Sequence, residues 1–317
     1  MKNFIKKSNI FSFTFLILLI SIAYFTSFIV TQRHFKIYET DSNTLVMGKN
    51  EHYDLILSGA SHSRILSRHK NHLRLEKILN KSIFNIGQGA ASCGIEEQFF
   101  YLKYFYDEGN SADTMLYFLS PPLLFSELLP IASNTFNIER FSLRFILRYL
   151  RFECGENKRQ RLFEYFRSKF TWEWISLAPK KSEYMNKTLE QVDSVLIKEG
   201  IANYYKLEKD SEVRFNKSCD VLENEIKYSK EINLQIVFIV PPAVFGKWPG
   251  HDRVIDFMHG RGRELPKRSH LVLLESMGKT LSNAPGLSVQ HRRHLLGKVF
   301  PNDYDILFPL FIFRQWI

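Results

Sequence analysis

Residues 53 to 64 read Tyr-Asp-Leu-Ile-Leu-Ser-Gly-Ala-Ser-His-Ser-Arg, a short apolar run that breaks at Gly59 and continues in small residues. An apolar run of this kind, followed by the amphipathic stretch 65–79, is typical of a strand, a tight turn and a helix. Ser61 then falls at the start of the helix. It either caps that helix or is a nucleophile. In the second case the helix-terminal N–H groups stabilise the oxyanion that forms when the serine attacks a carbonyl.

The same alternation of strand and helix recurs along the chain. Short apolar runs predict strands at 54–57, 82–86, 114–119 and 234–240. Helical periodicity over 94–106 and 210–230 predicts helices ahead of the last two strands. This order predicts a three-layer α/β fold with a parallel sheet, in which functional residues lie at the carboxyl ends of the strands. Ser61, Gly87 and Ser120 all follow such ends.

The first forty residues predict a membrane anchor. The run Ile10 to Val30 has no charged residue and is long enough to cross a hydrocarbon core of about 30 Å. It is also longer than the apolar region of a cleavable signal peptide. Because Lys6 and Lys7 precede the run, residues 1–35 are expected to be a cytoplasmic stub and an uncleaved transmembrane helix. The large domain, after a linker at 36–52, is then extracytoplasmic, and the protein is a single-pass protein of the inner (cytoplasmic) membrane.

Composition narrows the classes of partner and cofactor. The chain has 43 Lys and Arg against 33 Asp and Glu, a net charge of +10, which favours an anionic neighbour such as membrane lipid or an acidic polymer. The membrane anchor argues against nucleic acid as the partner. The three cysteines are scattered, and neither the cysteines nor the histidines show metal-ligand spacing, so no metal and no cofactor are expected.

Residues 123–230 lack strand signals and are expected to form a helical insertion, with 210–230 as its final helix. Arg140, Arg144, Arg148 and Arg151 recur there at helical spacing, beside Phe141, Phe145 and Tyr149. A basic amphipathic helix of this kind lies on a membrane surface, or it is a lid helix whose arginines face solvent. The sequence leaves both interpretations open.

The motif order resembles the SGNH, or GDSL-like, hydrolase superfamily. Ser61 follows the first strand, Asn85-x-Gly87 closes the second, and a late strand ends in Val240-Pro241-Pro242. The likeness is closest to a membrane-anchored cell-envelope branch of that superfamily. It implies an SGNH-like, flavodoxin-like domain over 53–246, with Ser61 as nucleophile and the Gly87 N–H as an oxyanion donor.

The family's last block, Asp-x-x-His, supplies a base and the residue that orients it, and here only Asp256 and His259 match. Two other blocks differ, since Ala60 replaces an Asp and Ser120 stands where the family has an Asn donor. Residues 247–317 are basic, rich in histidine and then aromatic. They are interpreted as a divergent C-terminal region or as the product of a shifted reading frame.

The resemblance implies a membrane-anchored esterase or O-acyltransferase that acts on an acyl ester of an envelope polysaccharide or lipid. Both reactions begin with the same attack by a serine, so the sequence does not separate them. The alternative is an inactive SGNH-fold protein that binds an envelope polysaccharide or a membrane acyltransferase partner.

Overall fold

A computed structural model of the chain describes residues 2–38, 47–64, 66, 71–87, 94–125, 136, 139–155, 157–170, 211–240, 250–261 and 270–273. The strands are β1 (His52–Gly59), β2 (Ile83–Asn85), β3 (Ser111–Phe118), β4 (Gln235–Val240) and β5 (His270–Leu273). The first helices are α1 (Lys2–Tyr38), α2 (Ser61–Arg64), α3 (Asn71–Leu79), α4 (Ile95–Asp107) and α5 (Pro122–Phe125). The later helices are α6 (Leu143–Arg151), α7 (Lys158–Ser168), α8 (Ser211–Glu231) and α9 (His251–Arg261).

The five strands form one parallel sheet in the order β2-β1-β3-β4-β5. This is the strand order of flavodoxin-like doubly wound sheets, whose topological switch point lies between β1 and β3. The α/β class, the parallel sheet and the N-terminal apolar helix are thereby confirmed. The sequence pattern predicts no strand after residue 240, whereas the structure adds β5, which pairs with β4 through Val240 and Leu273.

Both faces of the sheet are buried, as continuous apolar strands predict for a parallel sheet. On one face Ile56, Met115 and Phe238 belong to the main core cluster. That cluster also contains aromatic side chains of α4 and of the following helical segment, including Phe99, Phe100, Tyr101, Phe105, Phe136, Phe145 and Tyr149. Leu57 and Ile239 are equally buried and point to the opposite face because side chains alternate along a strand.

The helices that follow β3 lie against α4. Arg144 and Arg148 on α6 pair with Glu108 (2.9 Å) and Asp107 (3.0 Å) at the C-terminal end of α4. Cations near a helix C-terminus are stabilising. Because both arginines lie on α6, their ion pairs attach α6 to the C-terminal end of α4. The expected helical insertion at 123–230 is helical in every regular element that the structure describes there, namely α5 to α8. Arg140 precedes α6 and is not part of the helix.

An ion pair is buried beneath the start of α4. Arg161 on α7 lies 2.6 Å from Glu97, and the Glu97 side chain is almost fully buried. The other carboxylate oxygen of Glu97 accepts a hydrogen bond from the Gly94 N–H at 2.8 Å. Burial raises the pKa of Glu97, and the Arg161 guanidinium acts in the opposite direction. The pair therefore joins α7 to the first turn of α4.

Helix α1 contains a stretch, Ile5–Ile29, that is long and apolar enough to span a membrane. One side of this helix is packed against the domain, where Ala23 and Ser27 are buried. The Thr26 hydroxyl donates to the Lys169 carbonyl (3.0 Å), and Ser27 Oγ accepts a hydrogen bond from the Phe141 N–H (2.8 Å). The end of the apolar stretch is thus joined to the segments next to α6 and α7.

Candidate functional site

The turn between β1 and α2 requires a glycine. Gly59 has a φ of +131°, and a Cβ at this position would lie 2.6 Å from the Phe118 carbonyl oxygen of β3. After Ala60, α2 begins at Ser61, and the Ala60 carbonyl accepts hydrogen bonds from the N–H groups of Ser63 and Arg64. Ser61 therefore lies directly after the carboxyl end of β1, as the sequence predicts. Its side chain lies outside the described part of the structure.

The end of β2 is tied to the same turn through an asparagine. The buried Ser63 donates from Oγ to Asn85 Oδ1 (3.0 Å), and Asn85 Nδ2 donates to the Ser63 carbonyl oxygen (2.8 Å). A Cβ on Gly87 would lie 2.5 Å from Ser63 Oγ, so only glycine fits there. The expected neighbourhood of Ser61 and Gly87 is thus supported by direct contact of Gly87 with Ser63, two residues after Ser61.

The Gly87 N–H has a different partner from the one the resemblance implies. It donates to Asn85 Oδ1 at 2.8 Å, a local turn in which a side-chain oxygen replaces a backbone acceptor. In this arrangement the Gly87 N–H stabilises the loop after β2. Stabilisation of an oxyanion by this group requires that the hydrogen bond to Asn85 be given up.

A histidine and a serine meet at the switch point of the sheet. His62 Nδ1 and Ser120 Oγ share a hydrogen bond of 2.8 Å, which connects the residue after Ser61 to the carboxyl end of β3. Ser120 is buried and His62 is half-buried. The sequence assigns His62 to a pocket wall or the surface, because adjacent side chains on a turn point apart. The sequence singles out its partner Ser120 because Ser120 follows a strand end and stands where the family has an Asn donor.

Asp256 and His259 lie on the exposed side of α9. The buried side of this helix carries Val254 and Met258. Asp256 and His259 lie off that side and are exposed. Among the described residues, neither the Asp256 nor the His259 side chain makes a hydrogen bond or an ion pair. The hydrogen bond between a carboxylate and a histidine that a catalytic triad requires is therefore not formed by this pair in the described structure.

Two buried titratable groups lie away from the turn. Glu225 on α8 is fully buried, and neither carboxylate oxygen has a hydrogen-bond partner among the described residues. Desolvation alone raises the pKa of Glu225 to about 8. Burial lowers the pKa of Lys169 well below its usual value, and the nearby Glu139 carboxylate opposes this change. The described residues contain no group of three or more His, Cys, Asp or Glu side chains that could hold a metal ion.

The carboxyl edge of β1 and β3 is therefore the candidate site, with Ser61, His62 and Ser120 around the switch point and Ser63, Asn85 and Gly87 supporting the turn. Comparison of the chain with protein-family models, with curated proteins and with solved structures finds no match.

Proposed function

We propose that the protein is a membrane-anchored serine esterase or O-acyltransferase of the SGNH type. The observation that carries this proposal is the His62–Ser120 hydrogen bond (2.8 Å), which brings a histidine to the strand edge where Ser61 begins α2. Ligands of doubly wound sheets bind at this edge, at the switch point. A serine with a histidine close by is the arrangement used for nucleophilic acyl transfer.

In the proposed reaction Ser61 attacks the carbonyl carbon of an acyl ester, and a histidine accepts the hydroxyl proton. The alcohol of the ester leaves with a proton, and the acyl-enzyme is resolved by water in an esterase or by a sugar hydroxyl in a transferase. The hydrogen bond of His62 with Ser120, next to Ser61, supports His62 as that histidine. Main-chain N–H groups of the turn stabilise the oxyanion, and the substrate is an ester on an envelope polysaccharide or lipid.

Helix α1 anchors this domain in the inner (cytoplasmic) membrane, with the lysines that precede the apolar stretch on the cytoplasmic side. The catalytic domain is then extracytoplasmic. A fusion of alkaline phosphatase after residue 45 is expected to be active, and a cytoplasmic reporter at the same position inactive. The reverse pattern contradicts the orientation.

The chemistry is tested with a fluorophosphonate probe, which labels a serine only where that serine is activated. Ser61→Ala should abolish labelling of the full-length protein in membranes, and His62→Ala should slow it by roughly 10²–10⁴-fold. Labelling that survives Ser61→Ala and is lost in Ser120→Ala transfers the role of nucleophile to Ser120. His259→Ala tests the base that the sequence predicts.

The sheet offers a matched control at its opposite edge. His52 Nδ1 and Ser111 Oγ share a hydrogen bond of 2.9 Å, nearly the same geometry as His62 with Ser120, at the start of β1 and β3. Ser111→Ala should leave labelling unchanged, because no ligand site is expected at the amino ends of the strands. Equal loss in Ser111→Ala and Ser61→Ala indicates a general effect on folding.

A second candidate function is favoured by two observations. The Gly87 N–H is engaged by Asn85, and Asp256 and His259 form no hydrogen bond with each other among the described residues. Both fit an inactive SGNH-fold protein that binds an envelope polysaccharide or assists a membrane acyltransferase. A correctly folded protein that no fluorophosphonate labels supports this candidate.

A further inference from the structure

Exposed apolar side chains are concentrated in one region of the domain. Outside α1, the exposed large apolar residues on α6, on α7 or directly after α7 are Leu143, Leu147, Leu150, Phe163 and Phe170. The rest of the described domain contributes only Leu73, Ile78 and Val213. A cluster of this kind is more typical of an interaction surface than scattered apolar residues are.

Helix α6 has two distinct apolar sides. Phe145 and Tyr149 point into the aromatic core and are buried. Leu143, Leu147 and Leu150 recur at i, i+4 and i+7, and each is about half exposed, at 53%, 53% and 49%. These leucines leave a half-exposed apolar row on the outer side of the helix. It is typical of a helix that lies in a membrane interface.

The contacts of α1 show where the ends of α6 and α7 lie along the apolar stretch of this helix. Phe141, two residues before α6, is hydrogen-bonded to Ser27, and Lys169, directly after α7, is hydrogen-bonded to Thr26. The apolar stretch of α1 ends at Ile29. At a rise of 1.5 Å per residue, both contacts lie within about 5 Å of that end. With α1 spanning the membrane as proposed, the N-terminal end of α6 and the C-terminal end of α7 lie at the level of the membrane boundary.

The charge of the region suits an anionic lipid surface. Arg151 on α6 and Arg159 and Arg167 on α7 are exposed, and Arg167 pairs with Glu164 at 2.9 Å. Basic side chains close to a membrane surface are attracted to anionic headgroups. Arg144 and Arg148, in contrast, are paired with carboxylates of α4 and its end, so their role is internal.

We propose that α6 and α7 form a lipid-docking surface, defined by Leu143, Leu147, Leu150 and Phe163, that inserts into the membrane interface beside α1. The occupant is the lipid bilayer itself, with anionic headgroups next to the exposed arginines. This inference rests on the proposed anchoring by α1. Docking holds the candidate site in a fixed orientation above the surface on which a lipid-linked or envelope substrate is presented.

The test measures the lipid contact of single fluorescent labels in the full-length chain. Cys93, Cys154 and Cys219 are first replaced by serine or alanine, and a polarity-sensitive fluorophore is attached at Leu147→Cys or, as a second position, Leu143→Cys. The protein is reconstituted in vesicles of equal parts phosphatidylcholine and phosphatidylglycerol, at a low ratio of protein to lipid. Leu73→Cys on α3, of similar exposure, is the control for a label in water.

We expect the labels at 147 and 143 to emit at shorter wavelength than the label at 73 and to be quenched by doxyl-labelled lipid. Labels at both positions that behave like the label at 73 overturn the proposal. Protection from aqueous iodide without quenching by doxyl lipid also overturns it, because a protein then covers the surface. A label at Leu18→Cys on α1 reports separately on the anchor: without lipid quenching there, anchoring itself fails.

Discussion

The buried carboxyl of Glu225 makes the stability of this protein depend on pH in an unusual direction. Its pKa is raised from an ordinary value of 4.5 to about 8 by desolvation. Between these values the folded chain keeps a proton that the unfolded chain has released. The folded state therefore binds more protons than the unfolded state, and stability falls as the pH rises. Most carboxyls in proteins act in the opposite sense.

The size of this effect follows from the pKa difference. At 1.36 kcal/mol per pH unit, the free energy of unfolding falls by about 3–4 kcal/mol between pH 5 and pH 8 because of this one group. For a domain of this size that is a decrease in melting temperature of roughly 6–16 °C. Glu225→Gln removes the titration and keeps the shape of the side chain. The variant should therefore be more stable than the wild type at pH 8 and close to it at pH 5.

The assay is thermal unfolding of the full-length chain in detergent micelles, followed by circular dichroism at several pH values. Other titrating groups contribute equally to both proteins, so the difference between variant and wild type isolates Glu225. Glu231→Gln, at the exposed end of the same helix, is the matched control and should follow the wild-type profile. Parallel profiles for Glu225→Gln and the wild type would refute the reasoning.

Three further experiments test the turn and the core. Gly59→Ala should lower stability by about 1–3 kcal/mol, because its Cβ would meet the Phe118 carbonyl at 2.6 Å; an unchanged melting temperature contradicts this. Arg161→Met should lower the free energy of unfolding by about 3–5 kcal/mol, because Glu97 is left buried without its counter-ion. The double variant with Glu97→Gln should recover part of this loss in the same melting experiment. Asn85→Ala should cost about 1–3 kcal/mol and speed hydrogen exchange of the N–H two residues later; protection as strong as in the wild type would count against the observed hydrogen bond.

The parts of the fold that depend on local pattern could be predicted from the sequence. β1, β3 and β4 are continuous apolar runs that end in small residues or prolines, and each was located to within a few residues. β5 has only four residues in a basic segment, so its identity as a strand depends on pairing with β4. The pattern predicts a helix over 65–79, and the described part of that stretch contains α3 at Asn71–Leu79. The pattern does not predict that α2 begins directly after Ala60, at Ser61.

The site was predicted only in part, because its contacts join distant segments. The position of Ser61 after β1 follows from the local pattern of strand, glycine and helix. The hydrogen bond between His62 and Ser120 joins residues 58 positions apart and depends on the parallel pairing of β1 with β3. The sequence also cannot tell which serine of the motif is structural, and only the contact with Asn85 identifies Ser63 as the buried one.

The contacts of α1 with the domain have a consequence for any form of the protein that lacks this helix. Ala23 belongs to the same apolar cluster as the core of the domain, and the hydroxyl of Ser27 accepts the Phe141 N–H. A chain shortened to begin after Tyr38 would uncover that apolar surface and leave a buried backbone N–H without its acceptor. Proteolytic removal of α1 would therefore yield a damaged domain, so the folded domain depends on the apolar helix that precedes it.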